Sequence, residues 1–447
     1  MSEQKPDPDF LSDFVSKACG AGADAADAVI VSSISSSASW RLGRNEGVER
    51  AESSDLGLRI FVGQGQAIVS STDLQTPALS ELIERAVTMA RNAPEDPCCG
   101  LPDKDQLAKK VVDLDLADTD MPSSATLLEL AALAEDAARS VEGITNTEGA
   151  ESSASESAIT LANSAGFAGG YRATSFGVSA SVIAGSETQM ERDYEYCSTR
   201  HFSDLDPASD IGTRAGVRAV SRLNPRKAKS QQVPVVFDPR LSGGFPRLLA
   251  GLISGAAIAR GTSILKDKMN EQIFSAGVDI IDDPLRKRGL SSRPFDGEGV
   301  LGESREIVKN GVLSTWLLDT RSARQLKLRS TGHASRGTST PPNPGPTNLY
   351  VSAGTTSRDD LITNVDNGLY VTEMMGMSFN NITGDYSRGA SGFWIDKGEL
   401  VYPVNEMTVA GNIKDMFLQL TPADDLSFRY GIDAPTLRID GMTVAGV

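Results

Sequence analysis

The sequence predicts an α+β protein in two parts: an N-terminal α+β domain over residues 1–228, and a mainly antiparallel β, barrel-like C-terminal domain over residues 229–447. Three observations carry that prediction. Strand patterns and helical patterns fall in separate blocks, which fits segregated layers better than a doubly wound sheet. Residues 224–232, NPRKAKSQQ, are polar and basic with no apolar period, so the domain boundary falls there. Beyond Ile264 strands and turns dominate and helical signals are few.

Taken in order, residues 8–20 predict a short helix with Phe10, Phe14 and Val15 on one face and Asp7 or Asp9 as its cap. Residues 28–38, rich in Val, Ile and Ser, read as a strand. Residues 56–62 and 66–72 form a hairpin around Gly63-Gln64-Gly65. A helix starts near Pro77 and runs to Arg91, with Leu79, Leu82, Ile83, Ala86 and Ala90 along one side. Residues 92–105 are a loop. A second amphipathic helix spans 124–141, strands broken by glycines occupy 144–199, and a third helix covers 211–223.

In the second part, residues 233–237 are a buried strand and 243–259 an apolar helix. Residues 335–348, SRGTSTPPNPGPTN, contain four prolines and no apolar residue, and predict an exposed loop. Residues 391–394 and 399–404 are strands around the turn Asp396-Lys397-Gly398, with Gly where positive φ is needed. Just before them, Gly384 and Gly389 bracket the polar group Asp385, Tyr386 and Arg388, and residues 409–416 leave the sheet for a short helix. Arg388 could grip a peptide carboxylate or a partner's acidic group, or pair internally with Asp385.

Bulk properties narrow the function. A net charge of −16 and a pI near 4.7 argue against a nucleic-acid partner, whose phosphates need a basic surface. Four scattered cysteines suit a reducing compartment. The polar start MSEQKPDPDF has no secretory pattern, and no long apolar run would cross a membrane, so a soluble, cytoplasmic protein is expected.

Short motifs carry little. Ser263-Ile-Leu-Lys266 satisfies the S-x-x-K pattern of serine acyl enzymes without its companion motifs. Gly20-Ala-Gly22 follows a helix and precedes a strand, the reverse of a dinucleotide loop. Cys98-Cys99 have no nearby histidine. Cys197 and His201 are four residues apart, a spacing that would put two metal ligands on one helical face, with only Asp204 and Asp206 near them.

Longer stretches say more. GDYSRGASGFWIDKGELVYPVNEMTVAGNIKDM (384–416), GLSSRPFDGEG (289–299) and STWLLDTRSARQLKLRSTGHA (314–334) together resemble the TldD/PmbA family, in its PmbA (TldE) branch. The resemblance covers most of the C-terminal half, and the N-terminal half only in layout. It implies a subunit of a cytoplasmic metallopeptidase that trims or degrades small peptides and unfolded segments. His333, in the shared TGHA segment, could then face a cleft with Asp385, Tyr386 and Arg388, although a structural histidine is the alternative.

The family's TldD branch carries an HExxxH metal motif on the helix after the strand that opens the C-terminal domain. The matching segment here, aligned on Arg260-Gly-Thr-Ser263, is Pro246-Arg-Leu-Leu-Ala-Gly251, with no histidine, carboxylate or cysteine. The TldD branch also places a cysteine before a glycine near the C-terminus, where this chain has Tyr430 before Gly431. The resemblance therefore implies no catalytic residue and no metal in this chain, and zinc in a TldD-like, HExxxH-bearing partner. The partners expected are that subunit and peptide substrates. The alternatives are a non-catalytic peptide-binding or regulatory module, as a homodimer, or a peptidase acting alone through another site.

Overall fold

The computed structural model describes residues 7–187 and 189–446. The first part comprises α1 (Pro8–Gly20), β1 (Ala25–Arg41), β2 (Arg44–Val62), β3 (Gly65–Ser71), α2 (Thr76–Arg91), α3 (Ser124–Arg139), β4 (Ile144–Asn163), β5 (Ala168–Ala184), β6 (Glu191–Thr199) and α4 (Ala208–Ser221). Its strands form one antiparallel sheet in the order β3-β2-β1-β4-β5-β6. Strands β1 and β2 run well beyond the apolar segments that mark them in the sequence. Their serine-rich halves carry little hydrophobic signal but still pair, with hydroxyl rungs from Ser32 to Ser54 at 2.8 Å and Ser33 to Ser53 at 3.0 Å.

Helices α1 and α2 cover one end of this sheet, packing Leu11, Phe14, Val15, Leu82, Ile83 and Ala86 on Ile30, Leu58 and Ile60. Asp7 caps α1, and the buried stripe begins at Leu11; Phe10, expected on that face, is 40% exposed. Helices α3 and α4 cover the other end and lie against each other through Gly212 and Gly216. A Cβ on Gly212 would collide with the Ala134 carbonyl, so only glycine permits this approach.

The second part comprises β7 (Gln231–Phe237), α5 (Pro239–Ser242), α6 (Gly244–Leu252), α7 (Gly255–Ala259), β8 (Ile280–Asp282), β9 (Arg305–Lys309), β10 (Val312–Leu313), α8 (Thr320–Gln325), β11 (Ala334–Ser335), β12 (Asn343–Pro344), β13 (Leu349–Val351), α9 (Arg358–Thr363), β14 (Asn367–Phe379), β15 (Asp385–Asp396), β16 (Glu399–Asn412), α10 (Ile413–Leu418), β17 (Leu420–Pro422), β18 (Ile432–Asp433) and β19 (Leu437–Ala445). Strands β16-β15-β14-β7-β19 follow one another, and β16 pairs again with β19, closing a five-stranded barrel. Only β7 and β14 run parallel within it. The barrel core joins Val235, Phe237, Val371, Val409 and Ile439 to Phe245 and Leu249 of α6 and Phe417 of α10. The α+β class and the barrel-like closure thus stand as predicted.

The expected helix over 243–259 is broken. At Ile253 and Ser254 the backbone turns to meet Leu317: Leu317 N–H donates to Ile253 at 3.1 Å, and Gly255 N–H donates to Leu317 at 2.8 Å. Those bonds replace the helical ladder there. Conversely, α8 and α9 arise where few helical signals were read, while α10 is the short helix expected after the sheet. Each is six residues long, too short for an apolar period, and each is capped by a side chain: Asp319, Ser357 and Asn412.

Candidate functional site

Tyr386 and Arg388 sit two residues apart on β15 and so share a face. Both line a cavity of about 110 Å³ together with Arg247 and Leu248 of α6 and Met374 and Phe379 of β14. Tyr386 is buried, stands 6.3 Å from the Phe245 ring centre, and donates to Met374 Sδ at 3.3 Å. Burial pushes its phenol up, while the Arg388 guanidinium pulls it back. Arg388 Nε donates to the Gly376 carbonyl at 2.8 Å. Asp385 points the other way, exposed, and accepts from Thr383 at 2.6 Å and Asn412 at 3.3 Å. The internal Asp385–Arg388 pair considered from the sequence is absent among the described residues, because strand alternation separates the two side chains.

His333 does not face this cavity or any cleft. It is 1% exposed, with Nδ1 sharing a 2.8 Å hydrogen bond with Thr331 Oγ1. Its Nε2 lies 3.3 Å from Asp282 Oδ1, at ion-pair distance but without hydrogen-bond alignment. Asp282 also accepts from the Thr347 backbone at 2.7 Å and from the Thr347 hydroxyl. Burial raises the Asp282 carboxyl, yet His333 and Thr347 outweigh that and hold it low. His333 therefore ties the segment before β11 to β8, which is the structural alternative.

The segment facing the family's metal motif lies on α6, which packs against β18, the short strand just beyond Tyr430. A Cβ at Gly243, before α6, would strike close to the Ile432 carbonyl at 2.6 Å. These residues do not fit a zinc ion. Pro246 and Gly251 offer no ligand atom, Arg247 presents a cation, and the Tyr430 ring lies tilted against Tyr196 with centres 5.3 Å apart. Burial pushes the Tyr430 phenol above its ordinary range, with Tyr196 beside it. Among the described residues, no group of three or more His, Cys, Asp or Glu is arranged to hold a metal. Cys197 lies in β6, so an extended chain carries it away from His201, whose Nε2 instead meets the Asp115 carbonyl at 3.0 Å. The Cys99 thiol is pushed up by burial and by Asp96, the opposite of an activated nucleophile.

A buried charge network joins the two parts of the chain. Arg59 of β2 binds Asp27 of β1 and reaches Glu298 at 3.1 Å. Arg336, from the proline-rich segment, binds Asp27 at 2.5 Å. That segment is thus only partly the exposed loop expected: Ser339–Pro341 are open, but Arg336, Thr347 and Asn348 are buried in the fold. Burial, and then the Glu298 carboxylate, push Asp296 up to about 7 despite backbone N–H groups from Glu298, Val300 and Ala334. Asp27 is held low, the two arginines outweighing burial. Sequence reasoning passed over this network. Its signal was a lone charge inside each apolar run, Asp27 in AADAVIV and Arg59 in LGLRIFV.

Comparison with known proteins places these features in a family. Three consecutive models of the PmbA/TldA metallopeptidase match: domain 1 over residues 26–90, the central domain over 118–223 and the C-terminal domain over 230–446. Metalloprotease PmbA of Escherichia coli O157:H7 is 38% identical over 425 residues, 95% of this chain and 92% of that protein. The chain belongs to the PmbA branch of the TldD/PmbA family. The Metalloprotease PmbA homolog of Haemophilus influenzae is also 38% identical, over 97% of this chain and 94% of that protein. Among solved structures, a candidate modulator of DNA gyrase from Bacteroides thetaiotaomicron superposes with a TM-score of 0.89 at 28% identity, covering 98% of this chain and 99% of that one. TldE from Thermococcus kodakarensis shares the fold, with a TM-score of 0.87 at 21% identity, covering 98% and 99%.

Proposed function

We propose that this chain is the metal-free, TldE-type subunit of a cytoplasmic two-subunit metallopeptidase that processes or degrades small peptides and unfolded segments. The zinc ion and the general base belong to a TldD-like, HExxxH-bearing partner, and this chain contributes wall and binding surface to the shared peptide channel. The observation that carries this reading is α6. It follows β7 and α5 and packs against β18, and its segment 246–251 has proline, arginine and glycine where the resemblance puts imidazole and carboxylate.

The test is elemental analysis of the chain purified alone, followed by reconstitution with the HExxxH subunit. The expected result is zinc far below one atom per chain, no peptidase activity alone, and activity on mixing. Tightly bound zinc at one per chain would overturn the reading. No effect on the partner's activity would favour the homodimeric peptide-binding or regulatory role.

A further inference from the structure

The cavity between α6 and the β14–β15 ribbon combines an apolar floor with arginine side chains. Its floor is apolar, built from Phe245, Met374, Phe379 and Tyr386. Arg247 and Arg388 line the same space, and no carboxylate does. Neither arginine has an ion-pair partner among the described residues. Arg388 gives Nε–H to the Gly376 carbonyl and sets its guanidinium beside the Tyr386 hydroxyl, and Arg247 is exposed. Gly244 and Phe245 of the first turn of α6 also line the cavity, and no side chain caps that turn.

In a chain of net charge −16, an unneutralised arginine pair over an apolar floor selects a specific chemistry. The ligand must offer a carboxylate and an apolar group a few ångströms apart. A cavity of about 150 Å³ admits benzene, so 110 Å³ suits one aliphatic side chain. A main-chain carboxylate next to an aliphatic side chain occurs in a polypeptide only at its C-terminal residue. We infer that this cavity receives the C-terminal residue of a peptide, its side chain on the aromatic floor and its carboxylate between Arg247 and Arg388. The inference rests on the peptide-handling reading above for the class of ligand, and it assigns this subunit a recognition site of its own.

The experiment is isothermal titration of the purified chain, without partner, using acetyl-Ala-Ala-Leu as free acid and as C-terminal amide. The acid is expected to bind about tenfold or more tightly than the amide. In the double variant Arg247→Gln with Arg388→Gln that preference should vanish while the thermal midpoint holds. Equal binding of acid and amide, binding of neither, or a preference that survives in the double variant would overturn the inference. The acid–amide comparison on the unaltered chain needs no variant to fold. Should the double variant lose pairing with the HExxxH subunit while the unaltered chain fails to prefer the acid, the cavity belongs to the partner and the inference falls. A chain that restores partner activity but shows no acid preference overturns this inference and leaves the subunit reading standing. The converse result does the reverse.

Discussion

Arg59 of β2 and Glu298 of the C-terminal part are linked at 3.1 Å across the two parts of the chain, and neither side chain is more than 3% exposed. Arg59 also holds Asp27, which in turn holds Arg336. Removing one member strands the others in a low-dielectric interior. Arg59→Leu is expected to lower stability by about 3–5 kcal/mol, read as a drop in the urea midpoint. A loss under about 1 kcal/mol would mean that water reaches the network.

The same region sets a pH dependence. Asp296 titrates at about 7 in the folded chain against an ordinary 3.8, so between these values the native state holds a proton that the unfolded state has released. Stability from this group is complete below the ordinary value and is lost as pH rises through about 7. Asp27 acts oppositely: its contribution is present above its ordinary value and is lost as pH falls below it. Unfolding at pH 5 and pH 8 should therefore show lower stability at pH 8, and Asp296→Asn should flatten that difference. An unchanged slope in the variant would reject the assignment.

His333 serves the fold, so His333→Ala should leave Asp282 facing a void and Thr331 without its ring partner. The expected cost is about 1–3 kcal/mol, measured by chemical denaturation. Pairing with an HExxxH subunit should persist below the variant's unfolding range. A pairing or activity defect with unchanged stability would instead return His333 to a functional surface.

The contact between α3 and α4 makes a third structural prediction. Gly212→Val forces the helices apart against the Ala134 carbonyl. A loss of about 2–3 kcal/mol is expected for overpacking, whereas Ser209→Gly, exposed on the same helix, should cost under about 1 kcal/mol through helix propensity. Comparable losses at the two positions would show that the close approach is not what Gly212 provides.

What the sequence by itself determined is what depends on neighbours along the chain. The Asp7 cap of α1 and the apolar side of α2 were legible, because helical period and capping are local. So was the β15–β16 hairpin, where Lys397 and Gly398 both take positive φ. The side-chain types of Pro246–Gly251, with no imidazole, carboxylate or thiol among them, are visible in one dimension. The tertiary structure alone decided which distant groups meet. It broke the expected apolar helix at Ile253 by offering Leu317, buried His333 against Asp282, and set Asp385 on the opposite face from Arg388. It also brought Arg247, passed over as merely a non-ligand, to the same cavity as Arg388, 141 positions further along the chain. Burial and charge pairing across such separations are properties of packed surfaces, and no local period or propensity encodes them.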